Sequence, residues 1–135
     1  MAKHEKLVTQ ELRSSLESGY VCLTEKLHGN IYQSGLPDLL VAWPDGQLIL
    51  VEVKYGNAPE PWAVAERLGG RQRGVIFRLG VRHVPVFVVG RKEGSWWLFD
   101  ARQARLIPES WKIKSFTSVA AVTAHLNRVR HGENT

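Results

Sequence analysis

Two apolar runs joined by a Pro-Asp-Gly turn constrain the fold of this chain more than any other feature. The segment from Gly35 to Lys54 has the sequence GLPDLLVAWPDGQLILVEVK. Proline fixes φ, aspartate bonds its own backbone and glycine accepts positive φ, so residues 44–46 predict the turn of a β-hairpin. Both faces of that hairpin are apolar, which is typical of strands that are covered on both sides within a larger sheet.

The centre of the turn decides which residues face each other. A hairpin folded about Asp45 places Asp38 opposite Glu52, because both lie seven residues from that centre. Directly opposed residues share one face of the sheet, and Lys54, two residues after Glu52, shares it as well. The sequence therefore predicts that two carboxylates and a lysine converge at the open end of the hairpin.

This trio has the composition of a divalent-metal site. Mg²⁺ prefers oxygen ligands and keeps several waters, and a bound cation acidifies a water and stabilises negative charge on a phosphate. Asp38 and Glu52 supply carboxylates, the backbone carbonyl of Val53 is available as a ligand, and Lys54 is a candidate to hold the attacking water or a phosphate oxygen. The alternative is that Asp38 caps a turn while Glu52 and Lys54 form a solvated pair on an edge strand. The apolar residues on both faces favour the metal site, because they predict a buried hairpin.

Length and composition indicate one domain over residues 1–135. No run approaches 18 consecutive apolar residues, so no membrane span is expected. The N-terminus lacks the apolar core of a signal peptide, and Cys22 is the only cysteine, which excludes an internal disulfide. We expect a cytoplasmic protein, in a bacterial or phage-encoded setting.

The positive charge is concentrated in one part of the chain. The net charge is +5, and residues 61–92 contain seven Lys or Arg against one Glu. That asymmetry suits a phosphate-bearing partner, although a merely Arg-rich surface is the alternative. Arg71, Arg73 and Arg78 are candidates to bind a nucleic-acid backbone, and Lys26 is a further candidate.

Periodicity and breakers predict the remaining elements. The predicted order is α-β-β-β-α-β followed by an extra strand and helix, which is an α/β fold with a mixed sheet and helices against its faces. Before the hairpin, the sequence predicts a helix over 5–18 ended by Gly19 and a strand over 20–24 that resumes at Ile31-Tyr32. After it, the sequence predicts helical pieces over 62–68 and 71–79, separated by Gly69-Gly70. Strands over 84–89 and 96–99 and a helix over 117–130 follow. Trp96 and Trp97 must face opposite sides, so one is expected in the core, while the other packs there too or stacks on a base or in an interface.

At this point the sequence resembles the PD-(D/E)xK nucleases. The matching residues are Gly35, Pro37-Asp38, Glu52-Val53-Lys54, and Gln72 at the start of a following helix. The arrangement is most similar to the VRR-NUC branch and to Holliday-junction resolvases, with Glu5, Val8, Leu12, Leu16 and Gly19 matching the first helix of that pattern. The resemblance covers a core of about residues 5–90 and leaves a C-terminal extension of about 91–131 unmatched.

The resemblance implies a restriction-endonuclease-like core that hydrolyses DNA with Mg²⁺ or Mn²⁺, RNA not being excluded. It implies metal ligation by Asp38, Glu52 and the Val53 carbonyl, a catalytic role for Lys54, a supporting role for Gln72 and an outer ligand in Glu5. Glu11 is a rival to Glu5 on the same helix, and Gln72 is alternatively a plain polar group at a helix start. The resemblance and the small size together imply a homodimer that cuts branched DNA as an endonuclease, or targeting by a protein partner.

Two other functions remain open from the sequence. A nucleic-acid-binding module on this fold would bind without metal and would not cut. A protein-assembly factor would use the Trp-rich C-terminal part and would bind DNA weakly.

Overall fold

A computed structural model describes residues 3–27, 36–58, 61–105 and 110–130, with only the backbone described for residues 61–70 and 104–105. The elements are α1 (Lys3–Gly19), β1 (Leu23–Lys26), β2 (Leu39–Ala42), β3 (Leu48–Tyr55), α2 (Pro61–Val81), β4 (Val86–Lys92), β5 (Ser95–Asp100), a short 3₁₀ helix (Ala101–Arg105), β6 (Ile113–Phe116) and α3 (Val119–Val129). Gly35 of the motif and the predicted resumption of the first strand at Ile31-Tyr32 lie outside the described residues.

The strands form one mixed sheet. Six strands lie side by side in chain order, and every neighbouring pair is antiparallel except β3 and β4. A parallel pair needs a crossover connection, and α2 lies in the connection between β3 and β4. The structure is therefore of the α/β class, with a mixed, mostly antiparallel sheet and three α-helices in the described ranges, as the sequence predicts at this level.

Helices pack on both faces of the sheet. On one face, α1 and α3 bury Leu12, Leu126 and the strand residues that point toward them, such as Val51 and Val89. On the other, Ile76 of α2 packs with the alternate strand residues and with Trp111. The hairpin is consequently covered on both sides at its centre, which agrees with its two apolar faces.

The first and last helices follow their sequence patterns. The buried positions of α1 are Val8, Thr9, Leu12 and Leu16, which recur at the spacing of one helix face. Ser118 caps α3 by accepting a hydrogen bond from the amide of Ala121 at 3.1 Å, so this helix begins two residues later than the pattern predicts.

The predicted break at Gly69-Gly70 is wrong. Helix α2 continues through both glycines from Pro61 to Val81. Glycine lowers helix stability by about 1 kcal/mol relative to alanine but does not forbid helical dihedrals, so a packed helix can contain two. The face of Gln72, Ile76 and Leu79 turns toward the sheet, while Arg71 and Arg78 are exposed.

Strands β1, β4 and β6 differ from the prediction because long-range pairing decides their bounds. Tyr20 still donates its amide to the carbonyl of Leu16 at 2.9 Å, so β1 begins only at Leu23, where pairing with β2 starts. Strand β6 has no clear periodicity and was not predicted, yet it pairs with β5 along residues 113–116. Strand β4 runs from Val86 to Lys92 rather than over 84–89.

Across the part of the chain that the structure describes, no helix is both long and apolar enough to cross a membrane.

Candidate metal centre at the open end of the hairpin

The register of the hairpin brings Asp38 and Glu52 together as the sequence predicts. Leu39 pairs with Val51 and Ala42 with Leu48. In the same register, Asp38 lies opposite Glu52 one position further toward the open end. The turn has the predicted chemistry: Gly46 has φ +88°, and Asp45 accepts a hydrogen bond from the amide of Gln47 at 3.0 Å. Local turn chemistry thus fixes which residues meet at the other end.

Asp38 is held by the strands on both sides of it. Its Oδ2 accepts a hydrogen bond from the amide of Val53 at 2.8 Å. Its carbonyl accepts another from the amide of Leu27, just past β1, also at 2.8 Å. These bonds orient the half-buried carboxylate toward β3, beside the Glu52 position.

Glu52 is a buried acid with an unsatisfied oxygen. The residue is only 4% exposed, and its Oε2 lies 3.1 Å from Nζ of Lys54. Its Oε1 is buried and has no hydrogen-bond partner among the described residues. An orphaned buried carboxylate oxygen is destabilising in a protein, and a cation coordinated there would satisfy it.

The pKa of Glu52 is raised from 4.5 to about 7. Burial is the main cause, because it disfavours the charged carboxylate, and the negative charge of Asp38 adds to it. The charge of Lys54, and hydrogen bonding from Lys54 and Gln72, act in the opposite direction. A perturbed acid beside a second acid is the kind of group that clusters at functional sites.

Gln72 joins the site from α2. Its half-buried side chain lowers the pKa of Glu52 by hydrogen bonding, although Oε1 has no hydrogen-bond partner within the described part of the chain. The predicted helix start at Gln72 is wrong, because Gln72 lies in the middle of α2. Its role in the site stays a prediction. The carbonyl of Val53 stays a predicted ligand.

Glu5 lies on α1, which packs on the face of the sheet opposite to Glu52 and Lys54. The ring of His4 stacks on Tyr55 with centroids 4.4 Å apart, so the start of α1 lies beside the end of β3. No group of three or more His, Cys, Asp or Glu side chains within the described ranges is arranged to hold a metal ion. A role for Glu5 stays a prediction, and its rival Glu11 is paired with Arg91.

The predicted backbone-binding residues lie on two surfaces. Arg71, Arg73 and Arg78 are exposed on α2. Lys26 instead lines a polar groove of about 490 Å³ between α1 and β1. The other lining residues are Lys6, Thr9, Gln10, Arg13, Ser14 and Glu17.

Sequence reasoning missed Lys6 and Arg13 in this groove. Arg13 is held in place, because its Nε donates to Oγ1 of Thr24 at 2.9 Å and its Nη2 to the carbonyl of Thr24 at 3.1 Å. A signal existed, since Lys6, Gln10, Arg13 and Glu17 recur at the spacing of one helix face. The groove forms where this face of α1 lies next to Lys26 on the neighbouring strand.

The tryptophans of the C-terminal part are in the core. Trp96 is 3% exposed and Trp97 is 1% exposed, on opposite faces of the sheet. Trp111 is 8% exposed. The prediction that they face opposite sides is confirmed, and core packing is the outcome for both strand residues, so neither offers a ring to a base or to a partner.

Comparison of the chain with models of known protein families finds no match. A search of curated proteins likewise finds no relative.

Proposed function

We propose that this protein is a Mg²⁺- or Mn²⁺-dependent nuclease that hydrolyses phosphodiester bonds of DNA, on a restriction-endonuclease-like core of the PD-(D/E)xK kind. One observation carries the proposal. Glu52 is buried with one oxygen that has no partner among the described residues, faces Asp38 across the hairpin and contacts Lys54 at 3.1 Å. A merely structural carboxylate in this position would be expected to have both oxygens satisfied.

The donor set fits a hard divalent cation. Oδ2 of Asp38 is held by the amide of Val53, and the carboxylates of Asp38 and Glu52 are the groups that would hold the cation. When bound, Mg²⁺ supplies an acidified water and neutralises charge on the phosphate. The pKa of Glu52 is raised largely by burial and by Asp38, and a cation held by the two carboxylates would oppose that rise.

Lys54 and Gln72 have roles that follow from their positions. The ammonium of Lys54, anchored on Glu52 Oε2, presents its remaining protons to the attacking water or to a non-bridging phosphate oxygen. The amide of Gln72 orients the Glu52 carboxylate from α2. Lys54 already contacts Glu52, and Gln72 lies close enough to lower the pKa of the Glu52 carboxyl by hydrogen bonding.

The phosphate backbone has two basic surfaces available to it. The exposed arginines of α2 lie near Gln72 along the chain. The groove of α1 and β1 reaches the same end of the sheet, because Lys26 precedes Leu27, whose amide bonds Asp38. Backbone contacts of this kind position a substrate without reading its bases. We further expect a homodimer and a preference for branched DNA, which sedimentation and the panel below address.

A cleavage panel tests the proposal. Branched, linear and single-stranded DNA, and one RNA, are incubated with the protein plus Mg²⁺ or Mn²⁺. We expect cleavage that requires metal and is lost in Glu52→Ala and Lys54→Ala. Glu25→Ala, an exposed acid on β1 of the same sheet, is the matched control and should cut like the wild type.

Two outcomes contradict the proposal. One is the absence of cleavage on every substrate with either metal. The other is cleavage that persists at the wild-type rate in both site variants. DNA binding without metal and without turnover would instead support the non-catalytic module.

A further inference from the structure

Lys54 has an unusual neighbour in its row of the sheet. The strand register pairs Lys54 with Gly90 of β4, and Gly90 in turn with Trp97 of β5. Residues in register on adjacent strands share a face, so Lys54 and Trp97 both point to the α2 side. Gly90, which lies between them, has no side chain.

Gly90 is the place where the Trp97 indole crosses β4. A Cβ on Gly90 would lie 2.1 Å from Cε2 and 2.4 Å from Nε1 of Trp97, which is far inside van der Waals contact. Only glycine therefore leaves room for the ring. The indole fills the space that a β4 side chain would otherwise take beside Lys54.

The same indole holds the chain just beyond Lys54. Its Nε1 donates to the carbonyl of Gly56 at 3.0 Å, and the amide of Gly56 donates to the carbonyl of Arg91 at 2.9 Å. Gly56 has φ +144°, a conformation that favours glycine. Both backbone polar groups of Gly56 are thus tied, two residues after Lys54.

We propose that Trp97 is a positioning residue for Lys54, acting through Gly90 and Gly56. The hydrogen bond from its indole fixes the end of β3, and its ring fills the space beside Lys54 that Gly90 of β4 leaves empty. Together they confine the ammonium to the position beside Glu52, where Nζ lies 3.1 Å from Oε2. This inference rests on the proposed nuclease function and adds a residue that the motif does not contain.

Trp96 provides a matched control. It is the adjacent residue on the same strand and is also buried, at 3% exposure, but it points to the α1 and α3 face. Trp→Phe at either position removes an indole N–H and some packing. Only the change at position 97 removes the hydrogen bond to Gly56.

The first measurement compares steady-state cleavage by Trp97→Phe and Trp96→Phe with Mg²⁺, below the Tm of each variant. We expect the kcat of Trp97→Phe to fall roughly tenfold, while its KM stays within about twofold of the wild type. This fall in kcat is smaller than the loss of about 10²-fold that a 1 Å misplacement can produce. Trp96→Phe should change neither by more than about twofold. A purely structural role for Trp97 would give similar results for both variants.

A glycine pair gives a second test. Gly90→Ala drives the indole from its place and should lower kcat at least as much as Trp97→Phe. Gly94→Ala, where nothing lies within 4 Å of the added Cβ, should cut like the wild type. Equal kcat in the two alanine variants would overturn the inference.

A third measurement needs neither metal nor DNA. Amide hydrogen exchange followed by NMR should show faster exchange at Gly56 in Trp97→Phe but not in Trp96→Phe, because only the former frees the end of β3. Unchanged exchange at Gly56 would overturn the role of Trp97 and leave the proposed function standing. An unchanged kcat in Trp97→Phe, with an active wild type, would do the same. A wild type that cuts no substrate overturns the proposed function itself, and the role of Trp97 with it.

Discussion

Pro37-Asp38 and Pro44-Asp45 are the same dipeptide placed at the two ends of one hairpin. Asp45 is exposed and accepts hydrogen bonds from the amide of Gln47, two residues away, and from Nη2 of Arg130 at 3.2 Å. Asp38 is half-buried, bonds across the strands to Val53 and faces a second acid. One aspartate closes a turn and the other stands in a candidate metal site.

The difference lies in what surrounds each carboxylate. At the turn end, a cation balances Asp45, and the guanidinium of Arg130 also lies 5.0 Å from the centroid of the Trp43 ring. At the open end, Asp38 adds negative charge beside Glu52, whose burial already disfavours ionisation. A buried acid beside a second acid is unfavourable for folding, because both burial and the neighbouring charge disfavour its ionised form. This cost favours a functional role for the Asp38–Glu52 pair.

Alanine at the two aspartates gives the largest expected contrast. Asp38→Ala should lower metal-dependent cleavage by about 10³-fold, because loss of metal-bound charge removes several kcal/mol of transition-state stabilisation. Asp45→Ala should keep cleavage within about twofold and lose at most about 1 kcal/mol of stability, the usual value of an exposed ion pair. Rates on the best DNA substrate and urea denaturation measure both. Similar rates for the two variants would remove the distinction between the two ends.

The pH dependence of stability tests the open end without any substrate. The folded pKa of Glu52 is about 7 against an ordinary 4.5, so between these pH values the folded protein binds more protons than the unfolded chain. The free energy of unfolding should therefore fall as pH rises through this window, by up to about 3 kcal/mol.

Urea denaturation in EDTA at several pH values measures this loss. Glu52→Gln should abolish it and Asp45→Asn should not, because Asp45 is exposed. Saturating Mg²⁺ should reduce the loss in the wild type by stabilising the charged form. A wild-type profile that matches that of Glu52→Gln would contradict the raised pKa.

The smallest expected effect concerns the cations near the open end. Changing Lys6 and Lys26 to Gln should reduce the slope of log binding constant against log salt by about 1.4 to 1.8, if each lysine contacts one phosphate. The matched control is Lys112→Gln with Lys114→Gln, which removes equal charge at the opposite edge of the sheet. Fluorescence anisotropy with Ca²⁺ in place of Mg²⁺ measures binding without cleavage. Equal slopes for the two double variants would exclude the groove as a backbone-binding surface.

Much of the site was accessible from local sequence. The Pro-Asp-Gly turn and the alternation around it set the register, and the register alone brings Asp38 opposite Glu52 with Lys54 on the same face. The buried stripe of α1 follows in the same way from helical spacing. These features depend on residues near one another in the chain, whose geometry is fixed by turn chemistry and by the two periodicities.

Only the tertiary structure decided the rest. The burial of Glu52 and its orphaned oxygen depend on α2 and the neighbouring strands, and so does the action of Gln72 on its carboxylate. The start of β1, the existence of β6 and the continuity of α2 through two glycines follow from long-range pairing and packing that outweigh weak local preferences. The Trp97 contact joins residues 41 positions apart through a gap that a glycine leaves. Sequence periodicity carries no information about such a contact, because it is set by which strands become neighbours.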